Sequence, residues 1–255
     1  MTKHLDPKNW NPAIAVHEYH FANGLKLLVL PDGALPIVSF QVHYGVGSRN
    51  ERQGITGISH LFEHMMFRGS KDLGPEEFAR LIQAKGGEVN AFTTQDNTSY
   101  FENIPAEHLE LVMRLEADRL LNLDLTPESF ASEREVVRSE RKLRSVDSPF
   151  GLPQELLFAT AFCQHAYKWP VIGWDSDLVA MTHTDCLEYF RTYYNPANIV
   201  ITVAGHVDPQ QARALVDKYF GTIPSSGPPP AVHTVESPQL GERRAIIKKI
   251  SQVEA

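Results

Sequence analysis

The sequence has little of what marks several large classes of protein. Its 255 residues include only two cysteines, Cys163 and Cys186, which lie in no C-x-x-C pair and cannot form a disulfide framework. We expect both to be small, buried, apolar residues. The net charge of −7, without a stripe of clustered Lys and Arg, predicts no nucleic-acid partner. No apolar run approaches the roughly 18 residues of a membrane-spanning helix, which predicts no membrane span.

The first residues also lack the apolar core of a signal peptide. Residues 1–12 are polar and contain proline. We therefore expect a soluble protein whose compartment is unknown. A bacterial cytoplasm fits the sequence as it stands, and a periplasm fits if a signal has been removed.

Signals for strands and helices alternate along the chain. Strands are predicted at 16–21, 25–30, 37–45, 89–94, 99–103 and 199–204. Helices are predicted at 57–67, 75–86, 106–121, 127–144, 182–194 and 208–221. The first two strands flank Asn23-Gly24, a pair typical of hairpin turns. The pattern predicts an α+β fold in which a mixed or antiparallel sheet packs against helices.

Composition divides the chain into four predicted segments. Residues 1–15 are an N-terminal extension, and 16–223 form the folded domain. Residues 224–241 are a linker rich in Pro, Gly and Ser. Residues 242–255 are expected to begin another unit, with a short strand at 245–250.

The predicted helix at 57–67 carries the sequence H-L-F-E-H. His60 and His64 are four residues apart and share one face, and Glu63 lies on the same stripe. The rest of this helix is apolar, so the polar stripe needs partners inside the protein, because an unpaired buried polar group costs about 1–3 kcal/mol. Two imidazoles and a carboxylate suit Zn²⁺ with a general base beside it. Satisfied core histidines are the alternative, and only a third ligand would decide.

The predicted helix at 127–144 offers that third ligand. Glu133 and Glu140 are seven residues apart, about two helical turns, and so project in nearly the same direction. They interleave with Phe130 and Val137 on a stripe where carboxylates need partners. Glu140 is the candidate ligand, and Glu133 a carboxylate that orients or replaces it. A solvated helix face with ion pairs is the alternative.

Together, these motifs resemble the pitrilysin-type zinc metallopeptidases, family M16, also called inverzincins. This family includes mitochondrial processing peptidase and insulin-degrading enzyme. Residues 133–140 are similar to the family's E-R-x-V-V-x-x-E helix, and residues 65–70 to its M-x-F-x-G-S/T segment. The segments 169–173 and 194–198 also match recurring family sequences. The resemblance extends over residues 16–224.

The resemblance implies roles for five residues. His60, His64 and Glu140 would be the ligands of one Zn²⁺ per chain, Glu63 the general base, and Glu133 a supporting carboxylate. The implied activity is that of a zinc endopeptidase acting on extended or unfolded peptides.

A further part of the resemblance concerns peptide binding. Asn90, Ala91, Phe92 and Thr93 are similar to the family's substrate-binding edge strand. A strand with a free edge can bind an extended peptide through main-chain hydrogen bonds. An ordinary interior strand is the alternative that the sequence leaves open.

The chain departs from the family in two respects. Residues 165–167 read H-A-Y where the family has H-P-Y. The chain also lacks the second half that closes a chamber over the substrate and supplies an Arg/Tyr pair. The resemblance therefore implies an N-terminal, zinc-bearing half whose partner is a C-terminal half or a second subunit, and which can be inactive alone.

Two other functions remain open at this point. One is a binding or assembly subunit of the same fold that cleaves nothing. The other is a relative of S-ribosylhomocysteine lyase, which also carries H-x-x-E-H but uses a metal-ligating cysteine, for which Cys163 and Cys186 lack a suitable context.

Overall fold

The computed structural model describes residues 15–248. At its centre is one six-stranded sheet with the order β1-β2-β6-β3-β5-β4. The strands are β1 (His17–His20), β2 (Lys26–Pro31), β3 (Ile37–Tyr44), β4 (Glu88–Thr93), β5 (Thr98–Pro105) and β6 (Ile199–Gly205). β2 and β6 run parallel, and the other neighbours are antiparallel. The mixed sheet confirms the predicted fold class.

Eight α-helices accompany the sheet between residues 15 and 248. They are α1 (Ile58–Met65), α2 (Glu77–Ala84), α3 (Leu109–Asn122), α4 (Pro127–Arg141), α5 (Gly151–Ala161), α6 (Asp175–Ala180), α7 (His183–Tyr193) and α8 (Pro209–Phe220). Within this part of the chain, no helix combines the length and the apolar character needed to cross a bilayer.

The hydrophobic core lies on one face of the sheet. In β3, Val38, Phe40, Val42 and Tyr44 are buried, and the residues between them are half-buried. This alternation follows from the two-residue period of a strand. Helices α1, α3 and α8 pack on the buried face, where Phe40 meets Phe220 of α8.

Several local signals are confirmed. Asn23-Gly24 forms the turn between β1 and β2, with Gly24 at a φ of 90°. The side chain of Thr126 accepts a hydrogen bond from the Ser129 N–H and caps α4, and Pro127 occupies the first helical position. These signals succeed because they act within a few residues.

Two predicted helix ends are wrong. α2 begins at Glu77 and not at Pro75, because Glu76 adopts a left-handed φ of 60° and its N–H bonds to the Phe67 carbonyl. α4 ends at Arg141, and the chain continues as a π-helical turn over Lys142–Asp147. In both places, tertiary contacts or local backbone geometry override the residue pattern.

Two further expectations fail. Cys186 is buried as predicted, but Cys163 is exposed just beyond α5. The strand predicted at 245–250 is absent over 245–248, where the backbone has no partner strand, and 249–250 lie outside the described residues. Helices α5 and α6 are not predicted by the sequence pattern. α5 has no buried residue, so its apolar side chains form no inward stripe.

The predicted linker contains no helix or strand over residues 224–241, yet it returns to the domain. The Glu236 carboxylate accepts hydrogen bonds from the backbone N–H groups of Cys163, Gln164 and His165. Arg243 donates to the carbonyl of Ala161 at the end of α5. This segment is therefore held at two points, at the last residue of α5 and at residues 163–165 that follow it.

Candidate metal centre

Three predicted ligands meet between α1 and α4. The Nε2 atoms of His60 and His64 lie 3.6 Å and 3.2 Å from Glu140 Oε2. The ligand atoms of these residues all lie within 4.8 Å of one another. Over residues 15–248, this is the one group of three or more His, Cys, Asp or Glu residues that could hold a metal ion.

The apolar residues of the two helices bring these ligands together. α1 buries its Leu61, Phe62 and Met65 completely, which leaves its polar stripe facing α4. α4 packs against α1 and buries Phe130 and Val137. The i, i+3 and i+4 spacings in both helices thus direct the ligands to one point.

Glu133 lies behind one of the histidines. Its Oε1 accepts a hydrogen bond from His64 Nδ1 at 2.9 Å, and its Oε2 lies 3.3 Å from Arg68 Nε. A proton held on Nδ1 leaves Nε2 directed at Glu140. This carboxylate–histidine arrangement is typical of metal sites, where the outer partner fixes the ring orientation.

The two imidazoles differ in charge. Burial and the charge of His64 lower the pKa of His60 to about 4. Burial also acts to lower the pKa of His64, but the hydrogen bond to Glu133 and the adjacent Glu140 carboxylate outweigh it and raise that pKa to about 9. The His64 imidazole, 3.2 Å away, holds the pKa of Glu140 below its usual range. A metal ion would find His60 neutral and would displace one proton from His64.

The donor set fits zinc. Glu140 Oε2 is buried without a hydrogen-bond partner, although two imidazole nitrogens face it. A cation among these three atoms would satisfy that oxygen. Zn²⁺ accepts two His nitrogens and one carboxylate oxygen and keeps a fourth position open in catalytic sites. One feature departs from the usual pattern, because His60 Nδ1 is also buried without a partner.

Glu63 stands beside the ligands and is not one of them. Burial raises the pKa of its carboxyl, and the Thr93 hydroxyl donates a hydrogen bond to its Oε2 at 2.5 Å. A cavity of about 240 Å³ opens next to it, lined also by Phe67, Asn90 and Ala91. A small side chain can enter this space beside the ligands.

Strand β4 occupies the edge of the sheet nearest this cavity. It pairs with β5 on one side, and in the described chain no strand pairs with its other side. Asn90 and Phe92 are exposed, while Ala91 and Thr93 are half-buried. Within residues 15–248, β4 is therefore an edge strand.

Two basic residues of the site were missed by sequence reasoning. Arg68 contacts Glu133, and Arg144 Nε lies 2.9 Å from Glu140 Oε1. Each follows a site residue by four positions, Arg68 after His64 and Arg144 after Glu140. For Arg144 that spacing was an available signal, since residues four apart are neighbours on a helix. Arg68 lies beyond the end of α1 and contacts Glu133 of α4, so no local pattern predicted its contact.

The fold and this inverted-motif cluster define a class of metalloproteins, and comparison with known families identifies one of them. The model of Insulinase (Peptidase family M16) matches residues 32–173, and that of the Peptidase M16 inactive domain matches residues 180–254. The first match alone covers more than half of the chain. The chain belongs to peptidase family M16. This membership removes the lyase-like alternative.

Bacterial zinc proteases are among its relatives. The zinc protease PqqE of Helicobacter pylori is 34% identical over 230 residues, which is 89% of this chain and 52% of the relative. The uncharacterized zinc protease YmxG of Bacillus subtilis is 29% identical over 212 residues, 83% of this chain and 51% of the relative. The chain thus spans about half the length of the curated relatives it matches.

Solved structures show the same fold. A protease from Helicobacter pylori superposes with a TM-score of 0.88 at 32% identity, covering 90% of this chain and 56% of that one. The periplasmic protease PqqL from Escherichia coli gives a TM-score of 0.79 at 20% identity, covering 87% and 25%. The second likeness concerns the fold alone.

Proposed function

We propose that this chain is the zinc-bearing half of an endopeptidase that hydrolyses extended or unfolded peptides. The observation that carries the proposal is the convergence of His60, His64 and Glu140 within 4.8 Å, beside Glu63 and the free edge of β4.

The ligands would hold one Zn²⁺ through the Nε2 atoms of His60 and His64 and a carboxylate oxygen of Glu140. When bound, the ion would activate water and polarise a peptide carbonyl. Glu133 fixes the ring of His64 through the 2.9 Å hydrogen bond. Arg144 Nε lies 2.9 Å from Glu140 Oε1 and helps to hold this carboxylate in place.

The edge of β4 would bind the peptide. Free main-chain groups along this edge can add a strand through backbone hydrogen bonds, whatever side chains the peptide carries. Only an extended segment can pair in this way, so folded substrates would first have to open. Ala91 lines the cavity next to Glu63, which supports binding of the paired peptide beside the proposed base.

Glu63 would move the proton. Its carboxylate accepts a proton from the attacking water and delivers it to the departing amine, as a general base and then a general acid. Burial raises the pKa of this carboxyl, which makes it a stronger base. The hydrogen bond from Thr93 keeps the carboxylate in place.

The proposal includes a partner. The relatives are about twice as long as the matched region, so a C-terminal half or a second subunit would close a chamber over β4. Without that half, this chain is expected to bind zinc and to cleave slowly or not at all.

The test combines metal analysis with hydrolysis of a quenched, unstructured peptide, with and without the second half in trans. We expect about one zinc per chain in the wild type and in Glu63→Gln. The control is Glu128→Gln, which changes an exposed carboxylate at the start of α4 and should also bind about one zinc. Cleavage should fall by about 10²–10⁴-fold in Glu63→Gln alone.

Two results would contradict the proposal. Wild-type protein that stays zinc-free with zinc supplied would remove the metal site. Zinc binding without cleavage, even with the second half present, would favour a binding or assembly subunit.

A further inference from the structure

The metal-bearing helix α1 begins without a cap of its own. Its N-cap residue is Gly57, which has no side chain to accept a hydrogen bond and adopts a φ of 90°. The first N–H groups of a helix have no partner inside it and need acceptors from elsewhere. α1 has only eight residues, so the order of its first turn depends on those acceptors.

A carboxyl group six residues before Gly57 supplies two of them. Glu51 Oε2 accepts the N–H of Gly57 at 2.8 Å, and Glu51 Oε1 accepts the N–H of Ser59 at 2.9 Å. Each oxygen therefore holds one backbone group. Glu51 is only 6% exposed, so no solvent molecule could easily replace it in this position.

The chain before α1 is held from the other side. Asp177 of α6 accepts hydrogen bonds from the Gly54 N–H, the Thr56 N–H and the Thr56 hydroxyl. Gly173 touches the same segment so closely that a Cβ there would lie 2.2 Å from the Thr56 carbonyl oxygen. These contacts fix the loop up to residue 57. The hydrogen bond from the Ser59 N–H to Glu51 then fixes the first turn of α1 relative to that loop.

We propose that Glu51 is a positioning residue of the metal site, which sets the direction of His60 and His64 by fixing the first turn of α1. Ser59, which Glu51 holds, directly precedes His60. A shift of Ser59 therefore passes to the first ligand without an intervening residue. The inference rests on the proposed zinc site.

Metal affinity should respond to such a shift. Zinc bonds to histidine within a narrow range of about 2.0–2.1 Å. Loss of an outer group that orients a ligand typically weakens metal binding by about 10–100-fold. Glu51 acts through the backbone, so we expect an effect of about tenfold, at the low end of that range.

Glu51→Gln tests the proposal. The amide has one acceptor oxygen and one donor nitrogen, so it can accept only one of the two N–H groups. We expect the Kd for Zn²⁺, measured by competition with a chromophoric chelator, to rise about tenfold. We also expect the visible spectrum of the Co²⁺-loaded variant to differ from that of the wild type, because cobalt absorption reports ligand geometry.

Glu77→Gln is the matched control. Glu77 accepts the Gly74 N–H at 2.8 Å at the start of α2, another eight-residue helix, which carries no metal ligand. The substitution alters a carboxylate that binds a backbone N–H at a helix start away from the metal site, and we expect zinc affinity and the cobalt spectrum to stay as in the wild type.

The outcomes separate the two proposals. Wild-type protein that binds neither metal overturns the metal site itself. A folded Glu51→Gln protein with wild-type zinc affinity and cobalt spectrum overturns the positioning role, even if it melts earlier. If Glu51→Gln does not fold, Glu51→Asp keeps the carboxyl group on a shorter side chain, and unchanged zinc affinity in that variant also overturns the inference.

Discussion

The hydroxyl of Thr93 donates a hydrogen bond to Glu63 Oε2 across 2.5 Å. Thr93 belongs to the edge strand β4, and Glu63 belongs to α1. The strand proposed to bind peptide therefore also holds the proposed base. This contact therefore joins the proposed peptide-binding strand to the residue proposed to transfer the proton.

Replacing Thr93 by Val should slow the chemical step. The variant keeps the shape of the side chain and loses the donor. We expect kcat of the complete enzyme to fall about tenfold, equivalent to about 1.4 kcal/mol, with KM unchanged. The hydrogen bond lowers the pKa of Glu63, so its loss should raise that pKa and move the acid limb of the rate profile to higher pH.

Thr93→Ser, which restores the hydroxyl, is the control and should recover most of the activity. An increase in KM with unchanged kcat in Thr93→Val would show that the residue serves peptide binding only.

Glu133→Gln should weaken the metal site. The neutral amide no longer stabilises a charge on His64, so the apparent pKa of about 9 for that histidine should fall in the metal-free protein. We expect zinc affinity to drop about tenfold. Histidine NMR titration and chelator competition measure the two effects.

The neighbouring Glu135→Gln serves as the control, because Glu135 lies on the exposed face of α4 and pairs with Arg138. Zinc affinity equal to the wild type in both variants would remove Glu133 from the site.

Stability of the metal-free protein should depend on pH through Glu51. Burial raises its pKa from 4.5 to about 8 in the folded state. The folded protein then binds a proton that the unfolded chain releases, so this contribution is complete below pH 4.5 and is lost as pH rises through about 8.

The unfolding free energy of the wild type relative to Glu51→Gln should therefore decrease from about pH 5 to about pH 8 and level off above it. Urea denaturation in the presence of chelator measures this difference. A difference that rises with pH, or stays flat, would show that Glu51 is ionised throughout.

Arg119→Met should destabilise the core. Arg119 is 2% exposed, its Nε bonds Glu116 Oε2 at 2.8 Å, and it lies 3.6 Å from Glu102. Its guanidinium also stacks 4.3 Å from the ring centre of Phe78. Removing the cation leaves two buried carboxyl groups, and we expect a loss of about 3–5 kcal/mol in unfolding free energy.

Adding Glu102→Gln and Glu116→Gln to Arg119→Met should recover much of that loss, because no buried carboxyl group is then left without its cation. A triple variant no more stable than the single one would assign the effect to lost packing on Phe78.

The candidate ligands could be predicted from the sequence, whereas the order of the strands in the sheet could not. The stripes of α1 and α4 repeat with the period of a helix, so His60, His64 and Glu140 were recognisable before any contact was known. The place of β6 was not, because it lies between β2 and β3, far away along the chain. Strand order depends on long-range pairing and leaves no local pattern.

The hydrogen bonds between Glu51 and the start of α1 could not be predicted from the sequence either. Glu51 reads as one surface carboxylate among many, and only the fold places it at the start of α1. Arg119 was hidden for the same reason, since burial of a guanidinium requires partners from different elements.

The central place of β6 has a consequence for synthesis on the ribosome. All three proposed ligands lie before residue 141, yet Ile199–Gly205 hydrogen-bonds to both β2 and β3. Behind α1, the ring of Phe62 stacks on Tyr189 of α7. A nascent chain that has already exposed His60, His64 and Glu140 therefore has no complete sheet or α7 beneath them. The sheet and the packing behind α1 can be complete only after residue 205 has emerged, so we expect the site to take its final shape late in synthesis.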